Sequence, residues 1–277
     1  MTALLADELV RGALREDLGR AGDLTTDAIV PSDAVGRARV VARSAGVISG
    51  VTVLERVFAL LDPRVHVEIH VGDGGVVEPG TTVVTISGPL RAILTGERTA
   101  LNFVGHLSGI ASATARLVAL VAGTRATIVD TRKTTPGLLA LEKAAVRHGG
   151  GKNHRFGLDD AILIKDNHVA VAGGIVPAIV AARARAGHLV KIEVEVDTPE
   201  QLDQALAERA DIVLLDNFSP AQLREAVARS GGRALLEASG GIDATTIRAV
   251  AESGVDLISV GALTHSAPSL DVGLDLD

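Results

Sequence analysis

The most constraining feature of the sequence is a repeat of one apolar strand followed by one amphipathic helix, beginning near residue 190. Its strands are the runs VKIEVEV (190–196), DIVLL (211–215), RALLEA (233–238) and DLISVG (256–261). Most positions in these runs are apolar, which is typical of parallel strands that helices cover on both faces. Each helix is predicted to open with Asp or Ser as its N-cap, at DTPEQ, SPAQ and DATT.

Two earlier runs fit the same scheme, ATIVDTR (126–132) and AILIKD (161–166). Helices are predicted after them, near Gly137–Arg147 and Val176–Ala186. Strand spacings of about 22 residues favour a barrel over an open doubly wound sheet. Because six clear strands fall short of eight, the sequence predicts an α/β class protein with an incomplete (open) α/β barrel of six to seven parallel strands.

The N-terminal third follows a different pattern. Short alternating strands and the Gly and Pro turns GDGG and EPGTT precede residue 95, which predicts an α+β domain. A long helix at about 95–123 is the predicted bridge. We expect domains at 1–108 and 109–277, with the C-terminal tail able to return to the first domain.

Composition excludes several classes of protein. A net charge of −7, with no Trp, no Tyr and four Phe, argues against a nucleic-acid partner. The absence of cysteine excludes disulfides, thiolate metal sites and a cysteine nucleophile, so a metal would need oxygen or imidazole ligands. No uninterrupted apolar run approaches the roughly 18 to 20 residues of a membrane span, and the N-terminus lacks signal-peptide features, so we expect a cytoplasmic location without a membrane partner.

The lysines are unevenly placed. The chain has 27 basic residues, and four of its five lysines fall between positions 133 and 165. Lys143 suits a solvated helix face. The others indicate positions where a compact ammonium group is needed.

Reacting groups of parallel barrels come from the carboxyl ends of the strands. The predicted ends carry, in chain order, Asp130, Arg132 and Lys133; Lys165, Asp166 and Asn167; Glu193 and Glu195; Asp216 and Asn217; Glu237, Ser239, Gly240 and Gly241; and Gly261, with Thr264 and His265 close behind. Early strands thus supply cations, middle strands carboxylates, and late strands glycine. This division suits a substrate with several anionic groups, bound by Arg and Lys, by a hard cation on carboxylates, and by backbone N–H groups.

The cations themselves are Arg132, Lys133, His154, Arg155 and Lys165. If they meet at one mouth, each close pair repels by about 1 kcal/mol or more when no anion is present. Two or three Arg–carboxylate contacts can orient a small dicarboxylate.

Seven ordered motifs give the chain a family resemblance. They are LTGERTALNFVGHLSGIAS (94–112), DTRKTTPG (130–137), KNHRFGLDDAILIKDNH (152–168), EVEVD (193–197), LLDNF (214–218), EASGG (237–241) and VGALTHS (260–266). In these motifs the chain resembles the quinolinate phosphoribosyltransferases. The resemblance implies transfer of the phosphoribosyl group of PRPP to quinolinate with decarboxylation, giving nicotinate mononucleotide, pyrophosphate and CO2 on the de novo route to NAD.

The resemblance also implies roles for individual residues. Quinolinate would be held by Arg98, Arg132, His154, Arg155 and Lys165. PRPP and its phosphates would be held by Lys133, Glu195, Asp216, Ser239, Gly240, Gly261 and His265. Lys133, Glu195 and Asp216 would be the catalytic group, with Mg²⁺ on Glu195 and Asp216 as cofactor, directly or indirectly. Arg98 would reach the site of a neighbouring subunit, which implies a homodimer or a higher assembly.

Three alternatives stay open at this point. The chain could be a related phosphoribosyltransferase for another pyridine carboxylate, a Schiff-base aldolase using Lys165, or a non-catalytic phosphosugar sensor. The remaining histidines are predicted to be surface or structural residues: His66, His70, His106, His148 and His188. His168, in KDNH, has no assigned role.

Overall fold

The computed structural model describes residues 3–277. Its strands are β1 (Val35–Ala42), β2 (Gly46–Val47), β3 (His66–Ile69), β4 (Val76–Val77), β5 (Thr82–Pro89), β6 (Thr127–Val129), β7 (Ile162–Ile164), β8 (Ile192–Val196), β9 (Ile212–Asp216), β10 (Leu235–Ser239), β11 (Leu257–Ser259) and β12 (Val272–Leu276). Its helices are α1 (Ala3–Leu18), α2 (Leu24–Ile29), α3 (Val51–Leu61), α4 (Leu90–Leu120), α5 (Leu139–His148), α6 (Asp166–Ala172), α7 (Ile175–Arg185), α8 (Pro199–Ala207), α9 (Pro220–Ser230), α10 (Ile247–Ala251) and α11 (Ala262–His265).

These elements form two compact units. The first comprises the chain up to Ala115, Thr135–Gly150 and Ser266–Asp277, and the second comprises Arg116–Thr134 and Gly151–His265. The sequence predicts one boundary at residue 108, whereas the units divide the chain within α4. They also assign α5 to the first unit, although the strand–helix pattern placed this helix with the barrel.

The second unit is built on a six-stranded sheet in the order β6-β11-β10-β9-β8-β7. All five neighbouring pairs are parallel. The interior of the strands is buried, as in β9, where Val213, Leu214 and Leu215 are shielded. The prediction of six parallel strands in an α/β fold is confirmed, because runs buried on both faces are the sequence signature of such a sheet.

The helix starts differ in detail from the predicted ones. α9 begins as expected at Ser219, which forms a capping box with Gln222. The N-cap of α8 is Thr198 and that of α10 is Thr246, so the predictions of Asp at DTPEQ and DATT were wrong. In DATT, Asp243 instead accepts hydrogen bonds from the amides of Thr245 and Thr246 and closes a turn before the helix.

The first unit contains an antiparallel sheet in the order β12-β1-β5-β3. β12 comes from the end of the chain, yet it pairs with β1 over Ala38–Ala42. α3 packs against α1 and buries Val53, Leu54 and Phe58 among others. The alternating pattern through residue 51 predicts strand, but the left-handed Gly50, with φ of 95°, ends β-structure and begins α3.

Two further features of the described chain differ from expectation. Lys143 is fully buried in α5, so its prediction as a solvated residue was wrong. α4 is long and apolar enough to cross a membrane by length and composition, although half of its apolar window is buried inside the protein. α6 and α7 pass the same test only together, across a 94° bend. Because the core helix of a soluble protein also meets this criterion, we treat α4 as the core helix of the first unit.

Candidate active site

A cavity of about 410 Å³ in the second unit collects side chains from the carboxyl ends of the parallel strands. It is lined by Thr131, Arg132, Lys133, His154, Arg155, Leu163, Lys165, Glu195, Leu214, Asp216, Glu237, Ser239 and Ser259. Every strand of the sheet contributes, either from its last residues or from the segment that follows. The cations, the carboxylates and a serine therefore share one hollow.

Most of the predicted site residues meet in this cavity. Those that line it are Arg132, Lys133, His154, Arg155, Lys165, Glu195, Asp216 and Ser239. Gly240, Gly261 and His265 are outside the lining, but Gly261 adjoins it, because a Cβ there would lie 3.0 Å from Lys133 Cδ and 3.4 Å from His265 Nε2. Arg98 is exposed on α4 in the first unit and is not part of the cavity lining.

Gly240 is required by its backbone and by its neighbour. Its φ of +94° is a conformation that L side chains rarely adopt, and a Cβ would collide with the Asn217 side chain and lie 2.9 Å from Asn217 N. Asn217 also has a left-handed backbone conformation, with φ of 56°. Its side-chain Nδ2 donates a hydrogen bond to Asp216 Oδ2 at 2.6 Å. The two strand ends thus fit together only with glycine at this position.

The KNHRFG segment is held in place by the end of β6. Lys152 N donates to Ile128 O at 2.9 Å, and Asp130 N donates to Lys152 O at 3.2 Å. The buried Asp130 carboxylate accepts from His154 N at 2.9 Å and also from the Asn153 side chain. Because these contacts continue the parallel pairing beyond the strand, they bring His154 and Arg155 to the same mouth as Arg132.

The Arg155 guanidinium points into the cavity with spare donor capacity. Nη1 donates to Ala161 O at 3.3 Å, whereas the buried Nε has no hydrogen-bond partner among the described residues. Burial lowers the pKa of Arg155, and the neighbouring Arg132 lowers it further. A buried cationic donor without a partner is costly, and an anionic ligand would relieve that cost.

Two carboxylates, Glu195 and Asp216, line the same cavity. Burial raises the pKa of Glu195, and the nearby Asp216 raises it further, against the effect of Lys165. Burial also raises the pKa of Asp216, with a further contribution from Asp197. Lys165 Nζ lies 3.8 Å from Glu195 Oε2. Because each carboxylate makes ionisation of the other harder, a hard divalent cation bound there would stabilise both.

A second carboxylate group, here called the floor, consists of the buried Glu193 and Glu237, of which Glu237 lines the cavity. Glu193 and Glu237 are almost fully buried, and His154 Nε2 lies 2.9 Å from Glu193 Oε2 and 3.8 Å from Glu237 Oε2. Burial raises the pKa of Glu237 to about 7, and the adjacent Glu193 adds to this. One ligand atom from each of these three residues lies within 4.8 Å of the others, so they form a candidate metal group by distance alone.

The sequence pattern indicates a role for Glu193 and Glu237, although neither is among the predicted substrate-binding or catalytic residues. Glu193 precedes Glu195 by two positions on β8, and residues two apart on a strand face the same side. Glu237 lies on β10 among apolar residues, where a charged residue has no structural reason to be buried alone. The remaining histidines behave as predicted where contacts are seen: His70, His106 and His148 hydrogen-bond to Thr85, Glu142 and Ser49. His168 accepts the Lys165 amide and caps α6.

Fold and site together define an α/β enzyme class that handles small substrates with several anionic groups. Family models for the N-terminal and C-terminal domains of quinolinate phosphoribosyl transferase match residues 23–108 and 110–275. The chain belongs to the quinolinate phosphoribosyltransferase family.

Individual relatives are similar over nearly their whole length. The chain is 49% identical to a nicotinate-nucleotide pyrophosphorylase [carboxylating] of Mycobacterium leprae, covering 98% of this chain and 97% of the relative. It is 44% identical to a probable enzyme of the same name from Bacillus subtilis, over 100% and 95% of the two chains. A crystal structure of NadC from Streptococcus pyogenes superposes with a TM-score of 0.95 at 44% identity, covering 100% of this chain and 99% of the other.

Proposed function

We propose that this protein transfers the phosphoribosyl group of PRPP to the ring nitrogen of quinolinate and releases pyrophosphate and CO2, giving nicotinate mononucleotide for NAD biosynthesis. The observation that carries the proposal is one cavity lined by Arg132, Arg155 and Lys165 together with Glu195 and Asp216. Membership of the quinolinate phosphoribosyltransferase family supports the same activity. We place the enzyme in the cytoplasm.

The cationic side of the cavity binds quinolinate in this proposal. Arg132 and Arg155 supply paired N–H donors for the two carboxylates, and Lys165 adds a half-exposed ammonium. His154 lies at the floor beside them. Arg98 completes the subsite from a partner subunit, so the active form is a homodimer; its exposed position on α4 is compatible with that role.

The carboxylate side binds PRPP. Lys133 would bind the leaving pyrophosphate, and Glu195 and Asp216 would hold the ribose and a Mg²⁺ ion. The phosphate oxygens would be bound by Ser239, Gly240, Gly261 and His265. The crowding of buried carboxylates, which raises the pKa values of both Glu195 and Asp216, is the chemistry that Mg²⁺ fits. When bound, Mg²⁺ neutralises charge on the departing pyrophosphate.

The chain's residues then act by positioning and electrostatics. Arg132 and Arg155 fix the pyridine so that its nitrogen faces the anomeric carbon, which reduces the entropic cost of the reaction. Lys133 stabilises the negative charge that develops on the leaving group. No strong base is needed, because the alkylated ring nitrogen is cationic and stabilises the electron pair that stays on C2 when the 2-carboxylate departs as CO2. A proton from water then bonds to C2.

The alternatives fit the site less well. An aldolase needs a desolvated lysine, but the Lys165 side chain is 51% exposed and faces the Glu195 carboxylate. A sensor would not need both Glu195 and Asp216 beside a cationic cluster. A related enzyme for a pyridine monocarboxylate remains a second candidate, because selectivity depends on how many cations contact the ring substituents.

The proposal is tested by turnover. The protein is incubated with quinolinate, PRPP and Mg²⁺, and CO2, pyrophosphate and the pyridine mononucleotide are quantified together. We expect the three products in equal amounts. Binding of both substrates without turnover would support the sensor, efficient conversion of nicotinate without CO2 would support the monocarboxylate enzyme, and a borohydride-trapped sugar phosphate on Lys165 would support the aldolase.

A further inference from the structure

We propose that Glu193 is a positioning residue that holds His154 as the Nε2–H tautomer and, through that ring, fixes the backbone of Arg155 in the quinolinate subsite. The inference rests on the proposed function for its substrate, whereas the tautomer itself is a property of the substrate-free protein. It begins from two hydrogen bonds, one at each nitrogen of the same imidazole.

The first hydrogen bond indicates which nitrogen carries the proton. Arg155 N lies 2.7 Å from His154 Nδ1. A backbone amide can only donate, so Nδ1 must offer a lone pair and the ring proton must be on Nε2. Nε2 lies 2.9 Å from Glu193 Oε2, a carboxylate oxygen that can accept this proton's hydrogen bond. Both contacts therefore require the same neutral tautomer.

A metal ion is the competing explanation for the group formed by His154, Glu193 and Glu237. Metal ligation by Nε2 would move the ring proton to Nδ1, since a neutral imidazole has one proton and the metal needs the lone pair. Nδ1–H would then face the Arg155 amide donor at 2.7 Å. Because two donors cannot share that contact, the geometry favours a proton at Nε2 over a metal.

The tautomer of His154 matters because the His154 ring accepts a hydrogen bond from the backbone amide of Arg155. The His154 amide is bound to the Asp130 carboxylate at 2.9 Å, and its ring holds the next amide in the chain. The backbone at Arg155 is thus fixed, and its buried Nε has no hydrogen-bond partner within residues 3–277. Glu193 is almost fully buried on β8. The residue that contacts His154 Nε2 therefore belongs to a strand of the sheet. An arginine ordered in advance loses less conformational entropy when quinolinate binds.

The side chains offer a direct test by substitution. In Glu193→Gln the amide oxygen can still accept the Nε2 proton, whereas Glu193→Ala removes the acceptor. Two-bond ¹H–¹⁵N NMR spectra of histidine-labelled protein report the tautomer of His154 without substrate. We expect Nε2–H in the parent and in Glu193→Gln, and a mixture of tautomers in Glu193→Ala.

Binding measurements connect the tautomer to the substrate. For Glu193→Ala we expect quinolinate affinity to fall by up to about tenfold, the cost of ordering one arginine side chain on binding, with PRPP affinity unchanged. Glu193→Gln should bind quinolinate as tightly as the parent or more tightly, because it also removes a negative charge from the floor. Glu237→Ala is the matched control: it truncates the other floor glutamate, 3.8 Å from Nε2, and should leave the tautomer unchanged.

Several results would overturn the inference. An Nδ1–H or doubly protonated His154 in the parent would contradict the assigned tautomer directly. A Glu193→Gln variant as impaired as Glu193→Ala would show that charge alone matters. Should Glu193→Ala fail to fold, the parent and Glu193→Gln spectra still decide the tautomer. A parent that shows the Nε2–H tautomer but binds no quinolinate would refute the proposed function and leave the tautomer assignment standing.

Discussion

Glu237 should make the stability of the protein depend on pH in a way that a single substitution removes. Its side chain is 1% exposed, its Oε1 atom has no hydrogen-bond partner among the described residues, and Glu193 lies close by. Burial is the main cause that raises its pKa from the ordinary 4.5 to about 7. Between these values the folded chain keeps the proton while the unfolded chain releases it.

The direction and size of the effect follow from this difference. Because the folded state binds more protons than the unfolded state, the free energy of unfolding falls as pH rises through this window. One pKa unit corresponds to about 1.4 kcal/mol, so raising the pH from below 4.5 to above 7 costs up to about 3 kcal/mol. Glu237→Gln is neutral at every pH and should escape this loss.

The assay is urea unfolding of parent and Glu237→Gln across pH 5 to 8. Far-UV circular dichroism is the suitable signal, because the chain has no Trp and no Tyr. Protein concentration is kept equal throughout, since assembly adds to apparent stability. We expect the two proteins to unfold alike near pH 5 and the variant to be more stable by about 2 to 3 kcal/mol at pH 8.

A control variant distinguishes the effect of burying a carboxyl group from the effect of removing any negative charge. Glu68→Gln changes an exposed glutamate of β3 and should give a curve parallel to that of the parent. If the difference between Glu237→Gln and the parent does not change with pH, Glu237 titrates normally and its burial does not hold the proton.

Three other substitutions test the site. Arg155→Ala should fold normally and weaken quinolinate binding by roughly tenfold to a hundredfold, the value of one Arg–carboxylate contact; an unchanged KM would contradict this. Asp216→Ala should chiefly impair PRPP binding and the response to Mg²⁺, and normal PRPP titration with full Mg²⁺ activation would refute its role. Gly240→Ala should lower the free energy of unfolding by about 1 to 3 kcal/mol, because a Cβ collides with Asn217 at a positive φ; a stability equal to that of the parent would show that the loop adapts.

Much of the second unit could be predicted because its signals are local. A strand such as DIVLL is apolar on both faces, and SPAQ encodes the cap of α9 in four residues. The first unit depends on contacts distant in sequence. Nothing near α5 indicates that it packs away from the strand before it, or that Lys143 is buried, because tertiary packing decides both.

The site shows the same division. Strand-end position was enough to gather Arg132, Lys165, Glu195 and Asp216, because parallel strands align their carboxyl ends. It could not reveal that His154 contacts Glu193, since that contact joins the segment between α5 and β7 to β8. The sequence of one chain also could not show which site Arg98 contacts. Its contribution to the active site of a partner subunit stays a prediction.

The most direct measurement of the central claim is calorimetric titration of the protein with quinolinate and with nicotinate under the same conditions. If the cations in the cavity bind two carboxylates, quinolinate should bind at least about tenfold more tightly, the value of one additional charge-assisted contact. Equal affinity for the two ligands would mean that the second carboxylate meets no cation, and would contradict the account.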